Sequence, residues 1–220
     1  MPTDHHLRVS RTARIVTSGS PEAATWWVLL HGYGQCADDF IETASALRDG
    51  ASFVVAPEAL SRFYVDRMNE HRSVGASWMT RRDREHEIDD YVDYLDRVVE
   101  RFRADLDAAP TVRVLGFSQG AATASRWALL GDTPVDTLVL WAGDLAHDLD
   151  LHRHAERLRG MDLHLAVGTR DEWITEDRVE GLLQRLADHE IDVTRHPFDG
   201  GHRLDDDILR SLSGSGRTSA

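Results

Sequence analysis

Hydrophobic residues along this chain come in short runs divided by helix-length stretches of mixed polarity. Trp26-Trp27-Val28-Leu29-Leu30, Phe53-Val54-Val55-Ala56, Val112-Arg113-Val114-Leu115, Leu138-Val139-Leu140-Trp141 and Leu163-His164-Leu165-Ala166-Val167 each have the length of a buried strand, and Pro57 stops the second. Leu7 to Thr17 alternates and predicts an early strand; Val193 to Phe198 predicts a last one. Apolar strands that alternate with helices belong to a mainly parallel sheet covered on both faces, so the predicted fold class is α/β.

Ile88, Tyr91, Val92, Leu95, Val98, Val99, Phe102 and Leu106 share one helical face, with Asp89, Asp93, Asp96, Arg97, Glu100 and Arg101 on the solvated side. Further helices are predicted over 38–47, 119–130, 175–189 and 205–212. Residues 60–84 form a long, polar, Arg-rich stretch with Phe63, Tyr64, Trp78 and Met79 embedded, the composition of a lid or pocket loop. There is no internal repeat and no linker. The reading is one domain over 1–220, with 1–6 and 213–220 as frayed tails.

Composition narrows the chemistry. The 25 cations are all Arg, and with no lysine the Schiff-base, pyridoxal, phosphate-loop and Ser-Lys enzymes are excluded. One cysteine, Cys36, permits neither an internal disulfide nor a Cys-rich metal site, which favours a reducing compartment. No apolar run approaches the length of a membrane span, the N-terminus has no signal-like core, and the expected location is cytoplasmic. A net charge of −13 without a basic stripe argues against nucleic acid and anionic membranes as partners.

Gly116-Phe117-Ser118-Gln119-Gly120 fits G-x-S-x-G and lies between a predicted strand and a predicted helix, the context in which a serine is exposed on a tight turn. A serine hydroxyl needs an imidazole to take its proton and a carboxylate to orient that imidazole. Two acids follow strands in the required order: Asp171, after Gly168-Thr169-Arg170, and Asp144, after Trp141-Ala142-Gly143. Asp171 is favoured because it lies one strand nearer the histidine. Of the 12 histidines, His5 and His6 are terminal, and His86, His147, His152, His154 and His189 lie in polar helical or loop stretches. His164 and His196 sit inside predicted strands. His202, past the last strand and before the final helix, is the candidate base. The oxyanion of an acyl transfer needs two donors, and the amides of Gln119 and Tyr33 are the candidates, Tyr33 lying in Leu30-His31-Gly32-Tyr33-Gly34. His31 is expected to be structural, its ring bonding within its own loop.

Leu30-His31-Gly32-Tyr33-Gly34-Gln35, the Phe-Ser-Gln elbow, Gly168-Thr169-Arg170-Asp171 and Gly201-His202 together resemble the carboxylesterase, phospholipase and acyl-protein thioesterase family of the α/β-hydrolase superfamily. The likeness runs from about Trp26 to Leu212. It implies a Ser118–Asp171–His202 triad, oxyanion donors at Tyr33 and Gln119, no cofactor and no metal. The implied substrates are short-chain esters or thioesters, and the leading expectation is a serine carboxylesterase that cleaves small-molecule esters of short to medium acyl chain. Ala121 stands where the family often has a second glycine, and the 60–84 segment departs from the acyl-protein thioesterases. Trp78 is assigned either to the acyl pocket or to the core. The alternatives are a thioesterase or lysophospholipase of longer acyl chains, and a catalytically idle binding protein of the same fold. A homodimer is compatible with the sequence.

The excess of Asp over Glu and the use of Arg in place of Lys fall on predicted helix faces and loops. They read as an adaptation to concentrated salt, which screens the self-repulsion of an acidic surface. Stability against urea is expected to rise between low and molar salt; a stability that stays level or falls contradicts this reading.

Overall fold

Period-two alternation inside each apolar run divides one sheet between two cores. Trp26, Val28 and Leu30 pack on one face, while Trp27 and Leu29 pack on the other, and all five are fully buried. The computed structural model describes residues 1–66 and 70–214. Its main sheet contains β1 (Ile15–Ser18), β2 (Thr25–Leu30), β3 (Ser52–Pro57), β6 (Thr111–Phe117), β7 (Thr137–Trp141), β8 (Asp162–Gly168) and β9 (Thr194–Phe198). Their order is β1-β3-β2-β6-β7-β8-β9, parallel throughout except for β1 at one edge. Between β3 and β6 come β4 (Ser61–Tyr64) and β5 (Val74–Ser77), an antiparallel pair outside the main sheet.

Among the described residues the α-helices are α1 (Ala37–Thr43), α2 (Arg84–Arg103), α3 (Gln119–Leu130), α4 (Leu151–Arg159), α5 (Glu176–Ala187) and α6 (Asp206–Gly214). Residues of α2, α3, α4 and α5 belong to the core containing Trp26, and those of α1 and α6 to the core containing Trp27. The expected apolar stripe of α2 is seen: Ile88, Tyr91, Leu95, Val98 and Val99 are buried, with Val92, Phe102 and Leu106 packed against the same core. No helix among the described residues is long and apolar enough to cross a membrane.

Several local predictions need correction. The early strand is confined to Ile15–Ser18, and Leu7 and Val9 are exposed, because its partner β3 ends at Pro57 opposite Ile15. One further bond, from Glu58 N–H to the Arg14 carbonyl, closes the pairing. The helix expected over 38–47 is α1 followed by a separate 3-10 turn at Ser45–Leu47. Helix α4 lies outside the predicted helices; Asp150 caps it by accepting the amides of His152 and Arg153. The 60–84 stretch is built around β4 and β5 rather than being one irregular loop, with 67–69 outside the described residues. Of the expected C-terminal tail, Ser213 and Gly214 end α6 and 215–220 lie outside the described residues.

The strand-to-helix turn at Ser118 is set by close backbone approach. A Cβ at Gly120 would overlap the Leu30 carbonyl, and one at Gly116 would overlap the Gly120 carbonyl, so β2, β6 and α3 meet with no room for side chains. Ser118 has φ 55° and ψ −115°, a strained conformation for a residue with a side chain. Its N–H donates to the Trp141 carbonyl at 2.8 Å, and its own carbonyl accepts from Ala121 at 3.0 Å. Ala121 is fully buried and fits because its neighbour in space, Gly143, has no Cβ to meet it.

Candidate active site

Three loops at the C-terminal ends of parallel strands bring the candidate residues together, the general location of ligand sites in sheets of this kind. Ser118 follows β6 directly, Asp171 follows β8 and His202 follows β9. The last two loops are tied to one another: Thr169 N–H donates to the Phe198 carbonyl and Arg170 N–H to the Gly200 carbonyl, both at 2.8 Å. Arg170 is also paired with Asp199. Trp141 Nε1 holds the far side of the histidine loop through the Arg203 carbonyl at 2.9 Å.

The Asp171 side chain is completely buried and fully used. Oδ1 accepts the amides of Trp173 (2.8 Å) and Ile174 (3.0 Å), while Oδ2 meets His202 Nδ1 at 2.8 Å. That contact takes the Nδ1 proton, so that in the neutral tautomer of the ring the lone pair is on Nε2. The ring packs against Phe117, with centroids 4.9 Å apart, and Trp173 approaches it edge-on at 6.5 Å. Asp144 does not contact His202. Its Oδ2 lies 3.4 Å from His147 Nε2, and its Oδ1 is buried without a partner among the described residues.

On the other side of Ser118 lies the 31–35 loop. A Cβ on Gly32 would stand 3.3 Å from the Ser118 Cβ, so the Gly32–Tyr33 backbone runs alongside the serine. Every flank of Tyr33 is fastened: Gly32 N–H donates to Gln35 Oε1 (2.7 Å), Gln35 N–H to the Gly32 carbonyl (3.2 Å) and Gly34 N–H to the Ala76 carbonyl (2.9 Å). Gln119 is the first residue of α3, where an amide has no intrahelical acceptor.

His31 is structural, as expected, and its tautomer is determined by its partners. The Ala59 amide donates to Nε2 at 3.1 Å, so Nε2 carries no proton; Nδ1 therefore donates to the Gly32 carbonyl at 2.8 Å. Burial pushes its pKa below the usual histidine value, opposed in part by the bond to Gly32. Burial does the same to His164 and His196, the strand histidines, which bond each other at 3.0 Å.

Trp78 is core, not pocket. It is 3% exposed, its indole N–H donates to the His31 carbonyl at 2.8 Å, and it packs edge-on against Tyr91. Gln119 is the link that the sequence reading missed. Its Oε1 accepts the Trp78 amide at 3.1 Å and its Nε2 donates to the Met79 carbonyl at 2.9 Å and to Ser77 Oγ at 3.2 Å. The segment after β5 is thereby pinned to the serine turn. Of 60–84, only Arg84 borders the cleft among the described residues.

The cleft over Ser118 has a volume of about 900 Å³. Besides Tyr33, Ser118, Gln119 and His202, its walls include Ala122, Leu145, Ala146 and Ile174, and the charged residues Arg84, Arg126, Asp144, Asp148 and Arg178. Trp173, 69% exposed, also borders it. Elsewhere, Cys36, Asp38 and Glu58 lie close enough to share a cation, but Arg14 already pairs both carboxylates and Arg62 also pairs Glu58.

A doubly covered, mainly parallel sheet with a serine on a strained turn after a central strand is the α/β-hydrolase fold. Residues 25–204 match the family described as serine hydrolase (FSH1), and the chain belongs to that family, a hydrolase of the serine-esterase type. Among solved structures, esterase PE8 is 24% identical, aligning over 92% of this chain and 97% of its own with a TM-score of 0.67. A carboxylesterase from Mesorhizobium loti is 20% identical over 93% and 94%, also at 0.67. Acyl-protein thioesterase 2 of Zea mays is 17% identical over 92% and 98%, at 0.69. No curated protein matches the chain.

The buried histidines set a pH response. A histidine whose folded pKa lies below its unfolded value stabilises the fold above the unfolded value, near 6.5, and loses that contribution as pH falls toward the folded one. Urea unfolding in molar salt, where general repulsion is screened, is expected to show lower stability at pH 5 than at pH 7. Equal or greater stability at pH 5 contradicts the assignment of these rings as buried and neutral.

Proposed function

We propose that the protein is a carboxylesterase that cleaves short- to medium-chain carboxylic esters through an acyl-enzyme on Ser118. The observation that carries this reading is the 2.8 Å bond between His202 Nδ1 and Asp171 Oδ2, which in the neutral imidazole makes Nε2 the acceptor, with Ser118 and His202 both bordering the cleft.

In the proposed reaction the Ser118 Oγ–carbon bond forms as His202 Nε2 takes the hydroxyl proton. The carbonyl oxygen becomes an oxyanion facing the amides of Tyr33 and Gln119, each such donor lowering the barrier by roughly 3 kcal/mol. The carbon–alkoxide bond then breaks and His202 returns the proton to the leaving alcohol. Water repeats the sequence on the acyl-enzyme, giving the free acid and restoring Ser118. Asp171 holds the imidazole in the tautomer that accepts at Nε2 and stabilises the imidazolium that forms. No step needs a cofactor or a metal.

A cleft that is bordered by charged residues supports short to medium chains over long ones, since an extended alkyl tail would have to desolvate them. Rates that climb steadily from C4 to C16 acyl chains would instead support a thioesterase or lysophospholipase.

Ser118→Ala is expected to lower turnover of p-nitrophenyl butyrate by at least about a thousandfold while leaving the unfolding transition unchanged. Full retained activity contradicts the proposal. Asp171→Asn should cost about four orders of magnitude in turnover, and Asp144→Asn far less. The reverse order would transfer the orienting role to Asp144.

A further inference from the structure

In a chain with a net charge of −13, the cleft over Ser118 is bordered by three arginines and two aspartates. Gln119, Ala122 and Arg126 recur at three- and four-residue spacing along α3, so one face of that helix forms a wall leading away from the serine turn. Seven residues at about 1.5 Å each put Arg126 roughly 10 Å along the axis from Gln119.

Arg126 is locked. Its Nε and Nη2 grip Asp148 at 2.7–3.1 Å, and Nη1 reaches Tyr91 Oη at 3.2 Å. Arg84, at the start of α2, shares the same Asp148 at 3.2 Å, so one carboxylate serves two guanidinium groups. The other partner of Arg84 is Glu85, whose side chain is 78% exposed, and a pair of that kind is weak in water. Arg178, on α5, donates to the Trp173 carbonyl at 3.1 Å and has no carboxylate partner among the described residues. The second cleft carboxylate, Asp144, turns its accessible oxygen to His147. The apolar lining of the same cleft is Ala122, which stands on α3 between Gln119 and Arg126, with Leu145, Ala146 and Ile174, a surface for methylene groups.

We infer that the site takes esters carrying a carboxylate remote from the scissile bond, received by Arg84 and Arg178 while the methylenes between lie on the apolar wall. A guanidinium cannot lose its proton and its planar fork matches a carboxylate, so it can hold an anion inside a molecule whose overall field repels one. The inference rests on the reading of Ser118 as nucleophile, and it names the substrate class of that site.

The test compares kcat/KM, followed by pH-stat, for monoethyl adipate against ethyl hexanoate and for monoethyl suberate against ethyl octanoate. A parallel series of butyrate esters of ω-hydroxy acids, against the corresponding butyrates without the acid group, places the charge on the alcohol side. In one of the two series the anionic ester is expected to be preferred by about tenfold or more. Arg84→Gln and Arg178→Gln should each shrink that ratio, and the double variant should bring it near one. A purely structural loss would lower both substrates of a pair together and leave the ratio in place. Charge-blind hydrolysis that Ser118→Ala abolishes, or a preference unmoved by both arginine substitutions, overturns the inference alone. Hydrolysis that survives Ser118→Ala overturns the reading of Ser118 and the inference with it.

Discussion

The backbone of Ser118, at φ 55° and ψ −115°, is the constraint around which the rest of the site is arranged. A side-chain-bearing residue does not stay in that region unless its surroundings leave it nowhere else to go. Here β2 and α3 close on the turn so tightly that Leu30, Gly116 and Gly120 meet backbone to backbone. The Trp141 carbonyl holds the serine N–H from the next strand, and the strand-to-helix reversal then projects the side chain into the cleft. The same compression brings Gly32 against Ser118 and sets Gln119 at the head of α3, so the serine and the two candidate donor amides come from one packing event.

Hydrogen bonds then fix what packing alone leaves loose. His31 clamps its loop from three directions: its ring bonds Gly32 and Ala59, which requires the neutral tautomer with its proton on Nδ1, and its backbone carbonyl accepts from Trp78. Gln119 binds the segment after β5 to the serine turn with its side chain, while its own amide is the one that the proposed reaction uses. Asp171 and His202 are joined twice, directly and through the bonds between their loops. Each partner arrives from a different stretch of chain, yet each is held by an acceptor or donor on a neighbouring one. The charged cleft wall follows the same pattern, with Asp148 bracing Arg126 and Arg84 from separate helices.

Much of this was legible in the sequence because it is local. Apolar runs such as Phe53-Val54-Val55-Ala56 mark buried strands whatever the tertiary context, and the G-x-S-x-G turn carries its own steric reason in its two glycines. Asp171 is preferred to Asp144 by strand order; in the structure Asp171 contacts His202 and Asp144 contacts His147. What stayed hidden depends on pairing across long separations. Ser61–Tyr64 and Val74–Ser77 are four residues each, too short for periodicity to betray, and they are strands because of one another. Trp78 could not be assigned between pocket and core, since that depends on the His31 carbonyl, 47 positions away. The strand predicted from Leu7 failed because β3 runs out of partners at Pro57. Arg84, Arg126 and Arg178 are unremarkable among 25 arginines until α2, α3 and α5 converge on one cleft.

The proposed activation of Ser118 alone among the 14 serines of the chain rests on His202 as base and on donor amides around the strained turn. Treating the native protein with a fluorophosphonate probe and mapping the adduct by peptide mass spectrometry tests it most directly, because the probe reacts with a serine only where a base and oxyanion donors surround it. The account predicts a single adduct on Ser118, lost when the protein is unfolded before labelling. An unlabelled Ser118, or labelling spread over several serines, would contradict it.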